Sequence, residues 1–144
     1  MEIIKATKNQ IEDIATLCLE LWPHHTILEM REEVTNLLKS NNVFFLASVE
    51  VGYIGFTHLS VRHEYVESAK SPVAYLEGIF VKEKYRKQGV ASKLVEQCEV
   101  WARKNGYTQI ASDCELSNNQ SEKFHKAIGF KEVSRNIHFV KTLK

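Results

Sequence analysis

The chain has 144 residues, of which 44% are apolar and 26% charged, and its net charge is +1. That length suits one domain with its own core, expected over residues 1–144, and the near-neutral charge supplies no global field for nucleic acid or an anionic membrane. No apolar run approaches the roughly 20 residues needed to span a bilayer, and MEIIKATKNQ lacks a secretory apolar stretch, so a cytoplasmic setting is expected. Cys18, Cys98 and Cys114 are odd in number and spaced unlike a zinc site or redox pair, which predicts buried free thiols and no metal.

EIIKA reads as an opening strand. Thr7 and Gln10 suit a capping box, after which Ile11, Ile14, Ala15, Cys18, Leu21 and Trp22 follow helical spacing. Pro23 ends that helix near Trp22. Thr26 and Glu29 repeat the capping pattern ahead of Ile27, Met30, Val34, Leu37 and Leu38. VFFLASVE and YIGFTHLSVRHEY are β-branched and aromatic, hence strands, with Val51 and Gly52 at the turn between them. VESAKSP is a polar loop. VAYLEGIFV, from Val73 to Val81, is a third long strand. A helix follows from Val90 to about Asn105, closed by Asn105-Gly106. YTQIASDC is a strand, Asn119 to Ile128 a short helix stopped by Gly129, and FKEVSRNIHFVKTL two final strands. The order β-α-α-β-β-β-α-β-α-β-β implies an α/β domain around a mixed sheet, with residues 73–113 forming a parallel crossover.

Two features of this pattern carry chemistry. Glu77 stands inside an apolar strand, and the turn RKQGVA at 86–91 leads straight into a helix. A glycine there lets backbone N–H groups converge, and the positive end of the helix dipole adds to them, which makes an anion site suited to a pyrophosphate. No Gly-Lys-Ser/Thr follows, so this is not a triphosphate loop, and the triple glycine of a dinucleotide fingerprint is absent. A solvated strand-to-helix turn is the bland alternative.

The turn matches arginine–x–x–glycine–x–glycine/alanine after a long strand, and here the sequence resembles the GCN5-related N-acetyltransferases. LWPHH at 21–25, RHEYV at 62–66, SPVAYLEGIFV at 71–81, ASD at 111–113 and GF at 129–130 narrow the likeness to the bacterial aminoglycoside 6'-N-acetyltransferases. The resemblance implies the GCN5-related fold: a mixed, mostly antiparallel sheet of about seven strands flanked by about four helices. It also implies acetyl-CoA as cosubstrate, an aminoglycoside or other amine as acceptor, and a homodimer.

Acetyl transfer to an amine needs a base for the ammonium, donors for the thioester oxygen and a proton for the departing thiolate. Glu77 is the candidate base and ammonium ligand, its pKa expected to rise on burial and fall beside a bound cation; a surface ion pair is the alternative. Asp113, at the end of QIASD, is a second anion for a polycationic sugar, or a turn cap. The resemblance assigns the pyrophosphate to Arg86, Lys87, Gln88, Gly89, Val90, Ala91 and Ser92, and the pantetheine arm to the backbone of Ile79, Phe80 and Val81. It assigns aromatic walls to Trp22 and Tyr65, a lesser substrate contact to His25, and a CoA contact to Asn118. The family's helix tyrosine that protonates the thiolate is missing; Phe124-His125 stands in that neighbourhood, and His125 is its candidate replacement or a surface histidine. An acceptor other than an aminoglycoside, and a CoA-binding module without turnover, remain open on sequence alone.

Overall fold

The computed structural model describes residues 1–144. Its elements run β1 (Glu2–Lys5), α1 (Ile11–Leu21), α2 (Ile27–Leu38), β2 (Val43–Val49), β3 (Gly52–Arg62), β4 (Val73–Val81), α3 (Val90–Lys104), β5 (Ile110–Ser112) and α4 (Asn119–Ala127). Both capping boxes form, at Thr7 with Gln10 and at Thr26 with Glu29. Each satisfies orphan backbone donors where a helical stretch starts. The glycines after α3 and α4 act as left-handed stops: Gly106 and Gly129 have φ 85° and 100°. The backbone N–H groups of Tyr107 and Phe130 fold back to Ala102 and His125, so each helix closes on a Schellman turn.

The five strands form one sheet in sequence order. Every pair is antiparallel except β4 with β5, which are parallel and joined through α3. The sheet is buried on both faces. Phe44, Leu46, Phe56 and Phe80 pack with Ile14, Cys18, Met30 and Val34 of α1 and α2. Val43, Phe45, Leu59, Ala74, Leu76 and Val81 pack with Val90, Leu94, Val95 and Cys98 of α3. Double coverage explains why β2 reads as a continuous apolar run instead of an alternating one.

Two irregularities in β4 position the site. The pairing of β3 with β4 shifts register: His58 faces Gly78 but Leu59 faces Leu76, so Glu77 is an extra, bulged residue. Side-chain parity inverts across it. Ala74 and Leu76 face α3 upstream, whereas Ile79 and Val81 face α3 downstream. The second irregularity is that β5 pairs only with Ala74, Tyr75 and Leu76. From Glu77 onward β4 has no partner on that side.

The sheet has five strands where seven were expected. Residues 131–144 carry strand-like composition yet form no strand and are exposed throughout. A strand is held by a partner for its backbone groups and a surface for its side chains. This tail has neither within its own chain, and Ile137, Phe139 and Val140 stay 76%, 88% and 95% exposed. A second correction concerns the thiols. Cys18 and Cys98 are buried, and burial pushes them up to about 12 and about 11. Cys114, just past the end of β5, is exposed.

Candidate active site

The bulge decides what Glu77 touches. His58, Ser60 and Arg62 occupy alternate positions of β3, and His58 stacks on Phe44, which places this row on the α1/α2 face of the sheet. Ser60 Oγ donates to Glu77 Oε2 at 2.6 Å. Arg62 Nε reaches the same oxygen at 2.9 Å, and Arg62 Nη2 reaches Oε1 at 2.7 Å. The guanidinium carbon lies 3.5 Å from the centre of the Tyr75 ring, a cation–π contact. The Tyr75 hydroxyl in turn donates to Asp113 Oδ2. The two sequence-predicted carboxylates are thus linked through Arg62 and Tyr75, neither of which sequence reasoning singled out. The available signal was the period-two row His58, Ser60, Arg62, polar on one side of an otherwise apolar strand.

These contacts set the charge states. Burial pushes the Glu77 carboxyl up, but hydrogen bonds from Arg62 and Ser60 outweigh it and hold the group below its usual value. Both expected effects operate, with Arg62 in the place of the bound cation, and the net shift is downward: Glu77 is anionic at neutral pH. Its side chain is only 23% exposed, while the residue as a whole is exposed, because its main chain lies where β5 has departed. Burial and the Asp113 bond raise Tyr75 well above the ordinary phenol range, so it serves as a donor. Burial holds His58 down to about 4. Neutral, it points Nε2 at Asn42 Oδ1 across 2.7 Å, an acceptor, so Nε2 carries the hydrogen.

The slot left by β5 fits an extended ligand. The Lys82 N–H turns to Ile54 on β3, whereas the Val81 carbonyl faces the other way and accepts from Arg86 Nε at 2.8 Å. Backbone groups alternate along a strand, so the N–H and C=O of Ile79 also face the slot, with no partner there. Phe80 and Val81 side chains are buried, as core packing requires.

Below the slot, Lys87 and Gly89 take left-handed φ values of 61° and 81°. The N-cap of α3 is Gly89, without a side-chain cap. The N–H groups of Lys87, Gln88, Gly89, Val90, Ala91 and Ser92 donate to no carbonyl or side chain of the protein. Arg86, Lys87 and Gln88 are exposed around them. A run of free donors at a helix start with cations beside it fits a pyrophosphate.

At the point where β4 and β5 separate, His125 of α4 meets Ser112. His125 Nδ1 lies 2.7 Å from the Ser121 carbonyl, which only accepts, so Nδ1 carries a hydrogen. Nε2 lies 2.8 Å from Ser112 Oγ, which is itself 3.3 Å from the Leu76 carbonyl, the last paired position of β4. The ring is held by Phe130 at 5.1 Å, placed there by the Schellman turn at Gly129. Asn118 caps α4, its Oδ1 accepting from the Ser121 N–H.

The predicted substrate walls divide. Trp22 caps α1 and is 39% exposed, and its Cη2 edge approaches Gly78, the residue after Glu77, lying 4.0 Å from where a Cβ would stand there. A small cavity joins Trp22 and His58 to Met30, Glu33 and Leu37. It adjoins an open groove of about 590 Å³ lined by His25, Glu29, Glu32 and Glu33. His25 is bonded there to Glu29 at 3.2 Å. Tyr65, in contrast, stands in the 63–72 loop, 78% exposed, with its hydroxyl on Glu67.

A five-stranded sheet opened at one parallel pair, a carboxylate at the opening and an uncapped, donor-rich helix start beneath it define an acyl-transfer scaffold. The sequence profile of the acetyltransferase (GNAT) family matches residues 8–130, and the chain belongs to that family. Within it, the chain is 37% identical to an aminoglycoside N(6')-acetyltransferase type 1 of Acinetobacter baumannii, over 99% of both chains. Among solved structures it resembles aminoglycoside N-acetyltransferase AAC(6')-Iy in complex with CoA, with 34% identity, a TM-score of 0.92, and 99% and 95% of the two chains covered. The same enzyme bound to a bisubstrate analogue, CoA-S-monomethyl-acetylneamine, also gives 34% identity and a TM-score of 0.92, with 99% and 98% covered.

Proposed function

We propose that residues 1–144 act as one acetyl-CoA-dependent N-acetyltransferase domain that modifies the 6'-amine of aminoglycosides by direct transfer in a ternary complex. The observation that carries this reading is the placement of an anionic carboxylate, Glu77, at the mouth of a backbone slot that leads down to six free N–H groups. The likeness to aminoglycoside-modifying relatives over nearly the full chain supports the choice of acceptor.

Acetyl-CoA supplies an activated acetyl group as a thioester. The backbone of 87–92, with Arg86 and Lys87, holds its phosphates, and the Ile79 backbone orients the arm. Glu77 binds the acceptor ammonium and accepts its proton, directly or through one water, to expose the nitrogen lone pair. Asp113 and the acidic residues beside the α2 groove hold further ammonium groups, and Trp22 lies against the sugar. Tyr65, exposed on the 63–72 loop, is the second aromatic wall of this reading, and Asn118 Nδ2 remains free for the coenzyme. His125, when protonated, gives the Nε2 hydrogen to Ser112 Oγ, whose own hydrogen passes to the departing sulfur; the imidazole ends neutral and the thiol is complete.

The test is CoA-thiol release with kanamycin or tobramycin, beside a lysine-rich peptide and spermidine. Release with the antibiotics alone supports the reading; equal or better release with the peptide or spermidine overturns the acceptor assignment. Binding of acetyl-CoA without release from any of them overturns the enzyme assignment. The setting we propose is cytoplasmic; no helix is long and apolar enough to cross a membrane. We also read the protein as a homodimer, because the exposed apolar tail at 133–143 suits strand pairing with a second copy. Light scattering on the wild type and on Phe139→Asp checks this; a monomeric wild type rejects it.

A further inference from the structure

We propose that Arg62 is a displaceable internal cation that occupies the acceptor's seat on Glu77 in the free enzyme and competes with the incoming ammonium. The inference rests on Glu77 being the acceptor site. Three of the carboxylate's roughly four acceptor positions are already filled: two by the Arg62 fork and one by Ser60. A substrate ammonium therefore meets a neutralised carboxylate with a guanidinium across its outer edge. Full engagement of the carboxylate by the ammonium requires an exchange of one cation for another, which leaves the charge of the seat unchanged.

The geometry provides for that exchange. Arg62 is the last residue of β3, where the chain leaves the sheet for the 63–72 loop. Its side chain is 32% exposed, so the path to solvent is short. The Tyr75 face, 3.5 Å from the guanidinium carbon, belongs to the adjoining residue pair and not to Glu77. It offers a resting place beside Asp113 after the fork opens. Ser60 keeps its bond to Oε2, so the carboxylate stays aimed while the partner changes. Arg62 thus acts through Glu77 as a positioning residue. It lowers affinity for an ammonium that brings nothing else, and favours acceptors whose additional ammonium groups reach Asp113 and the acidic groove.

The experiment is calorimetric titration of tobramycin into CoA-loaded protein, which reads binding without turnover, for the wild type, Arg62→Met and Arg62→Lys. Removing the competitor is expected to tighten tobramycin binding roughly tenfold in Arg62→Met, the scale of one charge-assisted hydrogen-bond pair. Arg62→Lys, a cation without the fork, should fall between. CoA affinity should stay unchanged. The acid limb of kcat/KM against pH should move upward in Arg62→Met. The other titratable groups around Glu77 are His58 and Tyr75 on the sheet, with Asp113 beyond β5 on the Tyr75 hydroxyl; of these only His58 can carry positive charge, and burial keeps it neutral down to about 4. A merely structural Arg62 would lower thermal stability and leave both the tobramycin constant and the pH limb in place. Unchanged or weaker tobramycin binding in both folded variants overturns the proposal. If wild type binds tobramycin but transfers no acetyl group to it, the substrate assignment falls while the affinity shift still decides the role of Arg62. If wild type does not bind tobramycin, binding that appears in Arg62→Met supports the proposal and continued absence overturns it.

Discussion

Glu77→Gln separates the chemical role of the carboxylate from its structural one. An alkylammonium with pKa near 10 is neutral in only about one molecule in 10³ at pH 7, so a base that recovers the lone pair is worth up to about that factor. General-base catalysis contributes about 10²- to 10⁴-fold. The variant is therefore expected to lose about 10²- to 10³-fold in kcat near pH 7. Its residual rate should climb about tenfold per pH unit between 6 and 9, because it depends on amine already neutral in solution. Wild-type turnover should be far less dependent on pH there, since Glu77 is held below its ordinary value of 4.5. The amide retains one acceptor for Arg62 but loses its charge. With the two side chains 32% and 23% exposed, the expected destabilisation is about 1 kcal/mol, or roughly 3 °C in Tm for a chain of this size. The acetyl-CoA KM should change by less than about twofold. Thiol-release kinetics across pH, with a thermal melt, test all of this. Wild-type turnover from the variant, or a pH profile parallel to wild type, refutes Glu77 as the base.

Arg86→Ala removes both a cation at the helix start and the bond that ties up the Val81 carbonyl, so the acetyl-CoA KM should rise roughly tenfold with little change in acceptor KM; an unchanged KM removes Arg86 from the coenzyme site. Ser112→Ala cuts the link from His125 to the slot and should lower kcat as much as His125→Ala does, the double variant being no worse than either; additive losses in kcat reject a shared proton path. His58, held down to about 4 by burial, favours the neutral form in the folded state. Its contribution to stability is full above an unfolded value of about 6.5 and is lost as pH falls toward about 4. Urea melts of His58→Gln should show a flatter pH dependence across that window, and a slope equal to wild type discards the assignment.

Much of this architecture was legible because local signals agreed with the tertiary result. Both capping boxes, the Asn105-Gly106 and Gly129 stops and the limits of β4 at Val73 and Val81 are stated by short motifs whose geometry is nearly context-free. Glu77 and the 86–92 turn were legible for the same reason. The partners of Glu77 were not. Arg62 lies 15 residues upstream and reaches it only through the pairing of β3 with β4 and the bulge within it, and a one-residue register shift leaves no mark in composition. The final strands failed for the converse reason: residues 131–144 have the composition of strands, but composition says nothing of whether a partner edge is present. Burial of Cys114 was expected from the usual habit of cysteine, and its place past the three-residue β5 leaves it outside.

The single surplus residue in β4 makes the strand two half-strands joined out of phase. Deleting it would restore plain alternation and leave the downstream faces as they are, with Ile79 and Val81 toward α3 and Phe80 in the ring cluster it shares with Phe56, so what the surplus residue adds is the carboxylate itself. The residue can be removed without disturbing the layers, but it cannot be absorbed into a regular strand: flattening the bulge with Glu77 kept would turn Ile79 and Val81 away from α3. The reaction centre thus rests on a residue that the hydrophobic order on both sides of the sheet does not itself require.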